Sequence, residues 1–165
     1  MKQEEMNISQ LMAFALAQFI DQGENVRCVT SGGGCQYMPT HATNLHSKGC
    51  LVGILIEDSK LKTDMDQVGD GFRDMIHNLT EHSYDEEYAS FKYIVGELPK
   101  ILVDYKDVVT EFQGIHDTSQ NWREDNQRLS VMGTVSLANI ISKYDYLDVE
   151  DFLEIFEKSP EITHL

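Results

Sequence analysis

The stretch Ser31-Gly32-Gly33-Gly34-Cys35-Gln36-Tyr37 decides the predicted fold, together with Lys48-Gly49-Cys50-Leu51-Val52-Gly53-Ile54-Leu55-Ile56. The two stretches hold five of the eleven glycines and two of the three cysteines. Glycine is used where a backbone turns through positive φ or approaches another group closely, so three in a row predict an exposed, shaped main chain. Residues 27–30 and 35–38 favour short strands flanking a tight turn, and residues 51–56 fit either a third strand or a short buried helix.

Outward from this segment the sequence favours helices. Ser9 is predicted to cap a helix that ends near Gly23, and further helices are predicted over 64–79 and about 99–113. Asp117 and Gln120 have capping-box spacing for a long helix that carries Trp122 and extends to Ile141. Asp148 begins a last helix, which Ser159-Pro160 ends. The prediction is an α+β fold, mainly helical, with a small β-hairpin or sheet in the N-terminal third.

The length of 165 residues fits a single domain over 1–165. Within it we distinguish a Gly/Cys-rich segment (27–56), a helical remainder (57–158) and a short C-terminal tail (159–165). No apolar run approaches the ~20 residues of a membrane helix, and the first residues carry acids where a signal peptide would carry bases. Three cysteines do not make a disulfide framework. We therefore expect a cytoplasmic protein with reduced thiols and no contact with a membrane.

The net charge of −15 is unevenly distributed. Residues 1–56 hold three basic and four acidic side chains, whereas residues 57–165 hold ten and twenty-four. Such a surface repels phosphate backbones, so direct binding to nucleic acid is not expected. The acids either keep the protein soluble or imitate DNA for a basic protein.

Two reactive constellations can be built from the cysteines and histidines. A zinc site would use Cys35, His41, His46 and Cys50, with Cys28 nearby in the sequence, but the spacing fits no common zinc module, so neither a metal nor another cofactor is expected. A cysteine nucleophile would be Cys35 or Cys50, with His116 as its base. Adjacent helical side chains point about 100° apart, so Asp117 is expected to cap a helix rather than orient His116.

A third constellation is a ligand cradle. Backbone N–H groups of a glycine-rich turn can hold an anion, although the run lacks the pattern of a P-loop or a dinucleotide fingerprint and also fits a simple hairpin turn. Tyr37 would stack on a base, and Arg27, Lys48 or Arg73 would meet a phosphate. The predicted ligand-binding residues are Arg27, Ser31, Gly32, Gly33, Gly34, Cys35, Tyr37 and Lys48.

Four features together resemble a known family: Cys35-x-Tyr37, Gly49-Cys50-Leu51-Val52-Gly53-x-Leu55-Ile56, Phe112-Gln113-x-x-His116-Asp117, and a helix with Trp122. They are similar to a widespread family of uncharacterised small proteins of tailed bacteriophages and prophages, with the patterns C-x-Y-R, C-(A/L)-(I/V)-G-x-L-I and L-Q-x-x-H-D. The resemblance covers about residues 9–147. It implies a phage-encoded accessory protein in the bacterial cytoplasm, with the motifs close in space, and it implies no reaction. Met38 replaces the family's Arg, and the loop between the cysteines is longer.

The sequence therefore predicts a binding protein rather than an enzyme, with a counter-defence role. Its ligand would be a nucleotide-like small molecule of the host, taken up by the cradle. One alternative is an acidic inhibitor of a host protein, and another is a Cys/His hydrolase. The sequence does not determine the oligomeric state.

Overall fold

A computed structural model describes residues 2–19, 28, 36–41, 49–123 and 129–157. The described part is helical, and no sheet or barrel is present in it. The α-helices are α1 (Ile8–Ala17), α2 (Ser59–Val68), α3 (Phe72–Glu81), α4 (Ile94–Glu97), α5 (Lys100–Asp104), α6 (Lys106–Asp117), α7 (Val131–Lys143) and α8 (Val149–Glu157). Short 3₁₀ turns are Gln3–Glu5, Pro39–His41, Gly53–Leu55 and Ser119–Asn121. None of the helices in these ranges is long and apolar enough to cross a membrane.

The core is built around α1 and α6. α1 begins with a capping box, in which the Asn7 side chain accepts from the Gln10 N–H at 2.9 Å and the Gln10 side chain accepts from the Asn7 N–H at 3.1 Å. Ser9, the predicted cap, is instead buried inside the helix and accepts from the N–H of Asp148 at 2.8 Å. That bond helps to hold the start of α8 against α1, and α6 packs against α1, α3 and α7. The start of the last helix and its cap at Asp148 are confirmed, and its predicted end at Ser159-Pro160 lies outside the described residues.

The predicted α+β class is wrong for the described residues. Among them, the backbones of Cys28, Gln36 and Cys50 are joined by single hydrogen bonds of 2.8 and 3.2 Å, and no ladder extends from these bonds. Residues 31–34, which were predicted to form the turn of the hairpin, lie outside the described part of the chain, as do residues 27, 29, 30 and 35 of the predicted strands. A buried apolar run fits a strand or a helical turn equally well, which is why composition alone misled the prediction.

Leu51 to Ile56, predicted as a strand or a short buried helix, forms a tight turn and a 3₁₀ helix. The N–H of Ile54 bonds to the carbonyl of Cys50 at 3.0 Å, and that of Ile56 bonds to Gly53 at 3.2 Å. A Cβ on Gly53 would lie 2.4 Å from the carbonyl oxygen of Tyr37, so glycine is needed here for close backbone contact. The turn buries the apolar side chains without any partner strand.

Three helix predictions also need correction. The helix predicted over about 99–113 is two helices, α5 and α6, separated at Tyr105. Helix 64–79 is two helices, α2 and α3, because Gly69 takes a left-handed conformation (φ 77°) and ends α2. The long helix beginning at Asp117 is absent, since Asp117 is the last residue of α6. Trp122 is extended, and its indole N–H donates to the carbonyl of His116 at 3.1 Å, which turns the chain back over α6. α7 then begins after Ser130, whose side chain caps it.

Candidate functional site

Three segments that carry the sequence motifs meet in the core, and we call residues 36–38, 49–53 and 113–117 the motif node. The N–H of Cys50 donates to the carbonyl of Gln36 at 3.2 Å. The N–H of Val52 donates to the side-chain oxygen of Gln113 at 2.9 Å, a buried bond between residues 61 positions apart. The turn that begins at Cys50, which we call the Cys50 turn, is therefore hydrogen-bonded on one side to Gln36 and on the other side to Gln113 of α6.

His116 lies at the centre of the node with no exposed surface. Its Nδ1 is 2.8 Å from the Asp117 carboxylate, and the ring packs against Phe19 with centroids 4.2 Å apart. The expectation that Asp117 would not orient His116 is wrong. The 100° separation applies to the Cα–Cβ directions, whereas the ring and the carboxylate extend further and bend toward each other. Gln113, one turn earlier, donates to the same carboxylate oxygen at 2.7 Å.

This arrangement has the geometry of a base and the acid that orients it. If Nδ1–H donates to Asp117, Nε2 is left as the basic nitrogen of the ring. Cys50, the candidate nucleophile, is also fully buried, and its sulfur accepts from the N–H of Gly53 at 3.3 Å. Because neither side chain reaches the surface in this conformation, a substrate would need an opening of the core. The cysteine hydrolase stays a prediction.

Asp66 on α2 holds the segment that follows the glycine run. Its carboxylate accepts from the N–H of Tyr37 at 2.7 Å and of Met38 at 3.0 Å. These are adjacent backbone donors of the kind that could hold an anion, and a side chain of the same protein occupies them. The Asp66 carboxylate thus occupies the two backbone donors that an anion would otherwise use.

Of the predicted ligand-binding residues, Tyr37 is the one the structure describes. It is 4% exposed, so stacking on a base would require its surroundings to open. Arg27, Ser31, Gly32, Gly33, Gly34, Cys35 and Lys48 lie outside the described residues. The same holds for His46 of the hypothetical zinc site, and for His41 the backbone alone is described. Within the described ranges, no group of three or more His, Cys, Asp or Glu residues is placed to hold a metal ion.

An open groove of about 720 Å³, lined by none of the residues of the node, lies between the N-terminal 3₁₀ turn, residues 55–61 and the 97–102 segment. Gln3 bridges two of these segments by donating to the carbonyl of Leu55 at 2.9 Å. The floor is apolar, and the rim is charged. The floor consists of Met6, Leu11, Leu55, Ile56, Leu61, Pro99, Ile101 and Leu102, and the rim carries Lys2, Glu4, Glu57, Asp58, Glu97 and Lys100.

A second acidic surface lies in the turns after α3. Asp85, Glu86 and Glu87 are exposed, and Tyr84 beside them is 78% exposed. The carbonyl of His82 accepts from the N–H of Asp85 at 3.0 Å, and the carbonyl of Asp85 accepts from the N–H groups of Tyr88 and Ala89 at 3.0 and 2.9 Å. Defined turns therefore present these three carboxylates, which we call the acidic turn, to solvent.

Several cations of the described surface are already engaged by carboxylates. Lys60 lies 2.7 Å from Asp64, and Lys143 lies 2.5 Å from Glu111. Burial raises the pKa of Glu111, but the hydrogen-bonded ion pair with Lys143, together with the nearby Tyr144, lowers it more, so its pKa lies below the ordinary glutamate value. Lys100 likewise pairs with Asp104, and Arg73 with Asp74. These pairs leave much of the acid excess unneutralised.

Sequence reasoning missed the contribution of Asp66, the linking role of Gln113 and the groove. A polar residue one turn before His116 and Asp117 was the available signal for Gln113. Asp66 has no local signal, because the residues that it binds lie 29 and 28 positions away. The groove combines segments from both halves of the chain.

Comparisons with models of protein families, with curated proteins and with solved structures find no match to this chain.

Proposed function

We propose that this protein is a non-catalytic binding protein whose acidic surface engages a basic protein. Following the resemblance to phage-encoded proteins, the partner would belong to the bacterial host, and binding would inhibit a host defence. The residues of the chemical motifs support a structural role for the node, because His116 and Cys50 are buried and hydrogen-bonded inside the protein. Recognition is therefore assigned to the surface.

One observation carries this proposal. Exposed carboxylates outnumber exposed cations in the described part of the chain, and Lys60, Arg73, Lys100 and Lys143 are each paired with a carboxylate. The resulting negative field attracts a basic surface over a Debye length of about 8 Å and speeds its association. It opposes a nucleotide phosphate for the same reason. The nucleotide-like ligand stays a prediction, since most of its proposed cradle lies outside the described residues.

The test begins with capture of host proteins on the immobilised chain at low salt, followed by elution with salt, identification and repurification. We expect the association rate of the repurified partner to fall at least about tenfold between roughly 0.02 and 0.3 M salt. Replacing Asp85, Glu86 and Glu87 with Lys should slow association. The matched control, Asp85→Glu with Glu86→Asp and Glu87→Asp, keeps the charge and should leave the rate unchanged.

The proposal fails if association with the captured partner does not depend on salt. It also fails if no host protein is retained while a nucleotide or cyclic nucleotide raises the melting temperature of the wild-type chain. In that second case, Gly33→Val should abolish the thermal shift, because a β-branched residue disfavours positive φ and blocks close approach.

A further inference from the structure

We infer that the groove between the N-terminal turn and α5 is a docking site for a basic amphipathic helix of a partner protein. This inference rests on the proposed function, and it names the surface and the chemistry of the partner segment. It concerns a different part of the molecule from the acidic turn at 85–87.

The size of the groove limits its occupant to a segment. Its volume of about 720 Å³ is within the range of roughly 300–1,000 Å³ of pockets that take a drug-sized ligand, so it has room for a few side chains of a partner and not for a whole domain. The apolar floor is formed by core residues such as Leu55 and Ile56, whose outer atoms line the groove while most of each side chain is buried. A floor already fixed by the core needs little ordering when an apolar side chain enters.

The charges of the rim select a cation. Glu4, Glu57 and Glu97 are exposed and come from three different segments, so they approach an occupant from more than one side. Of the other three rim groups, the Asp58 carboxylate accepts from the N–H groups of Lys60 and Leu61, Lys100 pairs with Asp104, and Lys2 adds one exposed cation. The rim thus keeps an excess of carboxylates. Lysine or arginine flanking an apolar anchor would complement the three glutamates, whereas an anionic ligand would meet repulsion.

Helical recognition fits this groove better than strand addition. An extended peptide binds by adding to a free sheet edge, and the described residues contain no sheet. A groove with one apolar floor and a charged rim matches a helix with apolar anchors at i, i+3 or i+4, and i+7 and with basic residues beside them. The expected occupant is such a helix.

The experiment uses a fluorescent peptide of about 18 residues that has leucine at positions i, i+3 or i+4, and i+7 of a helix and lysine elsewhere. The full chain is titrated into the peptide, and the rise in fluorescence anisotropy gives the Kd. The triple variant Glu4→Lys, Glu57→Lys, Glu97→Lys should raise the Kd about tenfold or more. A second triple variant, Asp74→Lys, Glu81→Lys, Asp145→Lys, changes the net charge equally at exposed acids outside both the groove and the acidic turn, and it should raise the Kd less than about threefold. Ile101→Ser, which alters the half-buried part of the floor, should also weaken binding, and a melting curve of each variant identifies any loss of fold.

Peptide controls separate groove binding from general attraction between opposite charges. A scrambled peptide of the same composition should bind at least about fivefold more weakly, because its leucines no longer share a face. Equal weakening by the two triple variants, or no preference for the amphipathic peptide, would overturn the groove assignment. It would leave the proposed function standing if a salt-dependent host partner is still captured. Conversely, saturable peptide binding with no host partner would count against the proposed function and support the groove.

Discussion

The motif node and the groove differ in how their polar groups are used. In the node, the Asp117 carboxylate accepts from the Gln113 amide and lies 2.8 Å from Nδ1 of His116, and the carbonyl of His116 accepts from the indole N–H of Trp122. In the groove, Glu4, Glu57 and Glu97 face solvent above an apolar floor. Cys50 and His116, which suggest chemistry in the sequence, are thus buried in the core, whereas the proposed binding surface carries no sequence motif. This difference can be tested by changing each region separately.

The largest effect should come from Gly53→Ala in the node. The new Cβ would lie 2.4 Å from the Tyr37 carbonyl oxygen, a backbone atom that cannot move without disturbing the Cys50 turn. We expect a loss of about 3 kcal/mol or more in the free energy of unfolding, measured by chemical denaturation.

Gly114→Ala is the matched control for that variant. Gly114 lies on α6, and a Cβ added there would meet no atom of a neighbouring segment within 4 Å, so alanine should be neutral or stabilise by up to about 1 kcal/mol. If Gly53→Ala costs no more than Gly114→Ala, Gly53 does not approach the Tyr37 carbonyl as closely as the structure places it.

His116→Ala should have the next largest effect, because it removes a fully buried ring that contacts Phe19 and Asp117. We expect a loss of about 2–4 kcal/mol, against less than about 0.5 kcal/mol for the exposed His77→Ala. If His116→Ala keeps the wild-type stability but loses a measured hydrolytic activity, the node is a catalytic site and not a structural one.

The sequence predicted the parts of the fold that depend on neighbouring residues. The cap of α8 at Asp148 and the weak point at Gly69 follow from local side-chain and backbone preferences, although the interruption at Gly69 proved to be a complete helix end. The turn at 51–56 depends instead on Gly53 approaching Tyr37, and the end of α6 depends on the indole of Trp122 reaching back. Tertiary contacts of this kind leave little local signal.

The candidate site shows the same limit. The sequence identified His116, Asp117 and Cys50 as residues of interest, but assigned Asp117 to a helix cap because local geometry alone was considered. Gln113 connects to Val52 across 61 positions, and Asp66 binds two backbone groups far from it in the chain. The groove is formed where apolar residues of three separate segments meet at the surface. No spacing in the sequence indicates that these segments come together.

The smallest effect concerns Glu111, a partly buried acid of the surface whose Oε1 accepts from Lys143. Lys143 and Tyr144 lower its pKa in the folded state despite its partial burial. Its contribution to stability is therefore complete above the unfolded-state pKa of about 4.3 and is lost as the pH falls through the lower folded-state value. Glu111→Gln should reduce stability slightly at pH 7 and flatten the decline below about pH 4.3, in melting temperatures measured from pH 7 to 3. The control Glu86→Gln, in the exposed acidic turn, should keep the wild-type slope; an unchanged slope in Glu111→Gln would place Glu111 with the purely solvated acids.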